Sequence, residues 1–80
     1  MTQTPKEIEE WLCQALAKEI ECSSGSLERD KPFAELGIDS SALLGISGDL
    51  EDFLGVSLDP TVVFEYPTIA KLTHFLSKEL

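Results

Sequence analysis

Asp39-Ser40-Ser41-Ala42-Leu43-Leu44-Gly45-Ile46-Ser47-Gly48-Asp49-Leu50-Glu51-Asp52-Phe53-Leu54-Gly55 is the stretch that decides the fold. Leu43, Ile46, Leu50, Phe53 and Leu54 recur at three- and four-residue intervals, the period of a helix with one buried face. Asp39, Ser40 and Ser41 are all good helix-capping residues at its start, and Gly55 stands where a left-handed stop is needed. The spacing therefore predicts a helix that opens at Asp39-Ser40-Ser41 and ends before Gly55.

Outward from this helix the same period repeats. Thr4-Pro5-Lys6-Glu7 reads as a helix start, with Thr4 as the cap, Pro5 in the first helical position and Glu7 closing a capping box. Ile8, Trp11, Leu12, Ala15, Leu16 and Ile20 follow on one arc and predict a first helix over about 5–21. Glu19 falls on that arc and must reach round to solvent. Downstream, Asp59-Pro60-Thr61 reads as a second cap followed by a first-turn proline, and Tyr66-Pro67 closes the segment after one short helix through Val62, Val63 and Phe64. Thr68 caps a last helix carrying Ile69, Leu72, Phe75 and Leu76.

Between the first two helices, residues 21–39 are broken by Ser23-Ser24-Gly25-Ser26 and by Pro32. A loop of this length in a small domain is functional, disordered or hiding short helical turns. Leu27, Phe33, Leu36 and Ile38 argue for a loop pinned to the core. The expected fold is all-α: a four-helix bundle of three longer helices and one short third helix, with the long loop between helices 1 and 2. One domain over residues 1–80 is expected, because a chain of 80 residues has room for one core.

Composition narrows the function. The chain has 42% hydrophobic and 26% charged residues, a soluble globular balance. Six basic against fifteen acidic residues give a formal charge of −9, which disfavours nucleic acid and anionic membrane and favours basic partners. Residues 32–70 hold Glu35, Asp39, Asp49, Glu51, Asp52, Asp59 and Glu65 and no Lys or Arg. No apolar run approaches the ~18 residues of a membrane span. The start, Met1 to Glu7, lacks the order of a signal peptide, so the cytoplasm is the expected compartment.

Catalysis by the chain itself is not expected. His74 is the lone histidine, and no GxSxG, HExxH or phosphate-binding glycine loop is present. Cys13 and Cys22 are nine apart in what reads as one helix, about half a turn out of phase at ~100° per residue, so they cannot bridge within it. With His74 they are too few for a zinc site. If Asp39 is the cap, Ser40 lies in the first turn, near backbone N–H groups and the positive end of the helix dipole. A phosphodiester on its oxygen would be stabilised there. Nothing adjacent in sequence activates the hydroxyl, so the chemistry must be done to it by another protein.

Phe33-Ala34-Glu35-Leu36-Gly37-Ile38-Asp39-Ser40 resembles the F-x-x-L-G-x-D-S element of acyl carrier proteins. Asp59-Pro60-Thr61-Val62-Val63-Phe64-Glu65-Tyr66-Pro67-Thr68 resembles the P-T-x-x-F-x-x-P-T element of polyketide-type carriers. The resemblance spans about residues 8–77. It implies a four-helix bundle whose serine, here Ser40, receives 4′-phosphopantetheine from coenzyme A through a Mg²⁺-dependent phosphopantetheinyl transferase. The thiol of the covalent arm would then carry acyl intermediates as thioesters between enzymes of polyketide or specialised lipid biosynthesis. Asp39 matches the aspartate that helps the transferase dock and order its metal.

The chain departs from the family pattern at Ser41, where an apolar residue, most often Leu, is usual. That leaves partner choice open and keeps Ser41 as the alternative attachment point. Ile38-Asp39 also differs from the Gly-His or Gly-Asp usual in peptidyl carriers. The string from Leu44 to Gly55 is similar to carriers that work beside fatty-acyl-AMP ligases and polyketide synthases. Implied partners are thus the transferase, a loading enzyme (acyl-AMP ligase or acyltransferase) and a ketosynthase or other synthase domain, met by a monomer. A housekeeping fatty-acid carrier and an acidic helical interaction module without an arm remain the alternatives, and the chain suits either a free-standing carrier or a synthase domain.

Gly45 and Gly48 stand inside the second helix, where each costs about 1 kcal/mol relative to Ala. On a helical wheel Ser41, Gly45, Gly48, Asp49 and Asp52 fall together, opposite Leu43, Leu50 and Leu54. The strip is expected to be a close-approach surface for partners with basic side chains.

Overall fold

The computed structural model describes residues 3–79, and the backbone there is helical with no strand. Four helices run α1 Pro5–Ile20, α2 Ser40–Leu54, α3 Val62–Glu65 and α4 Ile69–Glu79, with two 3₁₀ turns, Ser24–Ser26 and Phe33–Leu36, inside the long loop. The first cap forms as its sequence requires. Glu7 N–H donates to Thr4 Oγ1 (3.2 Å) and Thr4 N–H to Glu7 Oε1 (2.9 Å), so two otherwise orphaned amides are satisfied.

The core is the meeting of the four apolar stripes. Ile8, Leu12 and Leu16 of α1, Leu50 of α2, Val63 of α3 and Ile69, Leu72 and Leu76 of α4 are all at most 2% exposed. Each such side chain contributes about 1.5–3 kcal/mol by leaving water. α1 packs chiefly on α4 and more lightly on α2. The lighter seam is closed by Trp11 stacking on Phe53, with ring centroids 5.2 Å apart. Trp11, Ala15, Ile20 and Phe53 are accordingly half-buried, while Cys13, Ala17 and Ser47, absent from the expected stripes, are buried.

The long loop is pinned, as expected. Leu27, Phe33 and Ile38 are buried in the core. Phe33 N–H donates to Pro67 O (2.8 Å), and Ala70 N–H donates to Arg29 O (2.9 Å), which ties the loop to the approach and first turn of α4. Arg29 Nε meets Glu9 Oε1 of α1 at 2.6 Å, and Arg29 Nη1 donates to Leu27 O. Gly37 ends the second 3₁₀ turn at φ 91°, a conformation that favours glycine, and sends Ile38 inward so that Asp39 emerges at the head of α2.

Two expected boundaries are corrected. α1 stops at Ile20, because Glu21 adopts the left-handed conformation (φ 55°) and both its N–H and that of Cys22 turn back to Ala17 O. Cys22 therefore lies beyond the helix and is exposed, while Cys13 is buried; both are free thiols. Asp59 is not the cap of α3. Its carboxylate accepts from Thr61 N–H (3.0 Å) and Thr61 Oγ1 (2.9 Å), its carbonyl accepts from Val62 N–H, and Thr61 takes the cap position. Asp59-Pro60-Thr61 is a turn that delivers the chain to α3. Gly55 (φ 71°) closes α2, and Thr68 Oγ1 accepts from Lys71 N–H (3.0 Å) at the head of α4, both as expected.

Candidate functional site

The site is built at the start of α2. Asp39 has extended backbone, and its Oδ1 accepts from Ala42 N–H at 2.8 Å, while its carbonyl accepts from Leu43 N–H at 3.0 Å. Ser40 is thereby fixed as the first residue of a helix of 15 residues. The amides of Ser40 and Ser41 have no partner within the helix and lie at its positive end, the arrangement that favours an anionic group. Both side chains are exposed.

The two serines face different neighbours. Ser40 borders an apolar cleft of about 220 Å³ between the loop, α2 and α3, whose other lining residues include Phe33, Ile38, Leu43, Val63 and Phe64. No carboxylate or base lines this cleft, so its residues supply no group to activate Ser40 Oγ. Ser41, about 100° further round the helix, faces a different neighbourhood. It lines a recess against α1 together with the carboxylates of Glu19, Asp39 and Asp49. Asp39 stands beside both serines, but Glu19 and Asp49 border Ser41 alone and disfavour a phosphodiester there by charge, whereas Ser40 has apolar surface beside it. The helix N-terminus, with an exposed hydroxyl and free backbone amides, fits a phosphodiester-linked arm.

The expected partner strip divides in the same way. Asp39, Ser41, Gly45 and Asp49 come together in the recess beside Glu19, whereas Gly48 and Asp52 stay on the outer face of α2, exposed and outside it. A Cβ added at Gly45 or Gly48 would meet no atom within 4 Å. The bundle itself therefore does not require either glycine. Leu44 and Phe64, 49% and 46% exposed, are the large hydrophobics left open among the described residues.

Perturbed ionisations lie elsewhere. Burial pushes the Cys13 thiol up, against an opposing pull from Arg29. The hydrogen bond to Glu9 raises Arg29, and the two bonds from Thr61 hold Asp59 below the usual carboxylate range. Among the described residues no three His, Cys, Asp or Glu side chains gather as a metal site, and no helix is long and apolar enough to cross a membrane.

The family described as a phosphopantetheine attachment site matches residues 10–76. This chain belongs to that family. A phenolphthiocerol/phthiocerol polyketide synthase of Mycobacterium tuberculosis is 34% identical over 99% of the chain, which spans only 4% of the synthase's length. The acyl carrier protein TtuC of Teredinibacter turnerae is 30% identical over 95% of the chain and 87% of its own length. A crystal structure of a free-standing peptidyl carrier protein of Acinetobacter baumannii superposes with a TM-score of 0.86 at 33% identity, covering 94% of each chain. The chain is thus a carrier protein of the polyketide-synthase type, with the four-helix carrier fold and 4′-phosphopantetheine as its covalent cofactor. Carriers of this kind serve synthase partners.

Proposed function

We propose that Ser40 bears the arm, and that the chain, as one carrier domain in the cytoplasm, holds acyl intermediates as thioesters for polyketide or specialised lipid assembly. The observation that carries the assignment is the separation of the two serines: Ser40 beside an apolar cleft, Ser41 in a recess with three carboxylates. In the loading step Ser40 Oγ loses its proton and forms the new bond to the phosphopantetheinyl phosphorus of coenzyme A, and adenosine 3′,5′-bisphosphate leaves. Asp39 holds Ser40 at the first helical position, and the amides of Ser40 and Ser41 favour the resulting phosphodiester. The bound arm supplies the thiol that forms the thioester.

Asp39, the carboxylate next to Ser40, is engaged by Ala42 N–H as the helix cap, which supports Ser40 as a recipient that a phosphopantetheinyl transferase activates. An acyl-AMP ligase or acyltransferase would load the thiol, and a ketosynthase or other synthase domain would take the cargo. Asp39, Ser41, Gly45, Gly48, Asp49 and Asp52 form the surface these enzymes approach.

Tandem mass spectrometry of the chain after incubation with coenzyme A, Mg²⁺ and a broad-specificity transferase tests the assignment. The group is expected on Ser40; finding it on Ser41 would overturn the reading.

A further inference from the structure

We infer that the groove between α1 and α2 is a docking site for a partner helix with an apolar stripe flanked by Lys and Arg, on a side of the bundle that leaves Ser40 open. The inference goes beyond the Ser40 reading and concerns a different surface. Two recesses, of about 380 Å³ and 220 Å³, adjoin there and share Trp11 and Gln14. Neither shares a residue with the apolar cleft beside Ser40. α1 supplies most of the lining, from Glu7 to Glu19, and α2 supplies Ile46, Asp49 and Phe53. Asp49 is the one residue held in common with the surface proposed above for the enzymes. The span from Glu7 to Glu19 is about 18 Å, the length of about three turns of a helix laid alongside.

The light packing of α1 on α2 leaves this groove open. Trp11, Ala15, Ile46 and Phe53 form its apolar floor, and Trp11 and Phe53, though stacked on each other, both stay half-buried. A tryptophan left part-open in a seam is the kind of group that anchors an interface. Both walls are helices whose backbone groups are satisfied internally, so there is no edge for an added strand, and a helix in the groove suits the site. Charge decides the flanks of that helix. Glu7, Glu10, Glu19 and Asp49 border the recesses against a single cation, Lys18, and none of the five forms an ion pair among the described residues. Lys and Arg on the partner complement them, and acidic flanks are repelled.

Trp11 is the only tryptophan, so its fluorescence reads the groove directly. The probe is a synthetic peptide of about 14 residues with Leu and Ala along one helical stripe and Lys on both flanks, and a scrambled peptide of the same composition is its control. A saturable change in Trp11 emission is expected with the first peptide and not with the second. Glu10→Lys combined with Glu19→Lys should raise Kd by about tenfold. Asp30→Lys combined with Glu65→Lys makes the same change in net charge at exposed positions outside the groove, and should leave Kd within about twofold. Circular dichroism checks that both variants fold as the wild type does. With the groove saturated, transfer of phosphopantetheine to Ser40 should keep its rate within about twofold. The inference is overturned by the lack of a saturable response, by an equal response to the scrambled peptide, by equal weakening in both variants, or by slower transfer once the groove is filled. Binding is read on the unmodified chain, so a chain never modified on Ser40 would overturn the Ser40 reading and leave a bound groove standing.

Discussion

Replacing glycine by alanine should act with opposite signs at two places on α2. At Gly48 the backbone is helical, the position is exposed, and an added Cβ meets no atom within 4 Å. Ala there gains helix propensity and narrows the unfolded ensemble, so Gly48→Ala should stabilise the chain by about 1 kcal/mol, and Gly45→Ala with it by about 2 kcal/mol together. At Gly55 the added Cβ also meets nothing, but φ is 71°, where an L side chain costs about 1–2 kcal/mol. Gly55→Ala should therefore destabilise by about that amount. For a domain of this size about 1 kcal/mol moves the melting midpoint by roughly 4–8 °C, within reach of circular dichroism. A fall in midpoint for Gly48→Ala, or a rise for Gly55→Ala, would refute the assignment of one glycine to close approach and the other to chain reversal. Given the partner surface proposed above, which includes Gly48, the stabilised variant should also be a poorer substrate for partner enzymes.

Asp59 should titrate below the ordinary carboxylate range in an NMR pH series, because Thr61 N–H and O–H both favour its charged form. Its folded pKa is depressed, so the stabilisation is present above the unfolded value and is lost as pH falls through the folded one; Thr61→Val should move the midpoint upward, and no movement would count against the turn. A thiol-reactive dye should label Cys22 quickly in the native chain and Cys13 only after denaturant is added, since Cys13 is buried and its thiol is held protonated. Two equivalents reacting at one rate would contradict that burial. Phe33→Ala should cost about 3–5 kcal/mol, comparable with the whole stability of so small a domain, because Phe33 fills the core beneath the loop that presents Asp39. A loss under about 1 kcal/mol in urea unfolding would show that the loop is held by other contacts.

What the sequence revealed was mostly local chemistry. Thr4 with Glu7, Asp39 with Ala42, and Thr68 with Lys71 are side-chain to backbone bonds that span three residues, so their partners are adjacent in the sequence. Gly55 could be read as a stop because few other residues take its conformation readily. The end of α1 could not, since Glu21 in a left-handed conformation has no comparable signature. At the start of α3 two capping residues flank Pro60, and the turn of Asp59 on Thr61 leaves the cap to the second. The separation of Ser40 from Ser41 was hidden for a different reason. A helical wheel places them about 100° apart, but only the packing of α3 on one side and α1 on the other makes one neighbourhood apolar and the other acidic. Asp49 and Asp52 read as one strip on the wheel, but only Asp49 lines the recess beside Glu19 of α1.

The most direct test of Ser40 as the attachment point is the intact mass of the chain after incubation with coenzyme A, Mg²⁺ and a phosphopantetheinyl transferase, measured beside Ser40→Ala. The wild type should gain one phosphopantetheinyl group and Ser40→Ala none, with the variant's helical spectrum unchanged. Full modification of Ser40→Ala would contradict the assignment and move the arm to Ser41, despite the carboxylates around it.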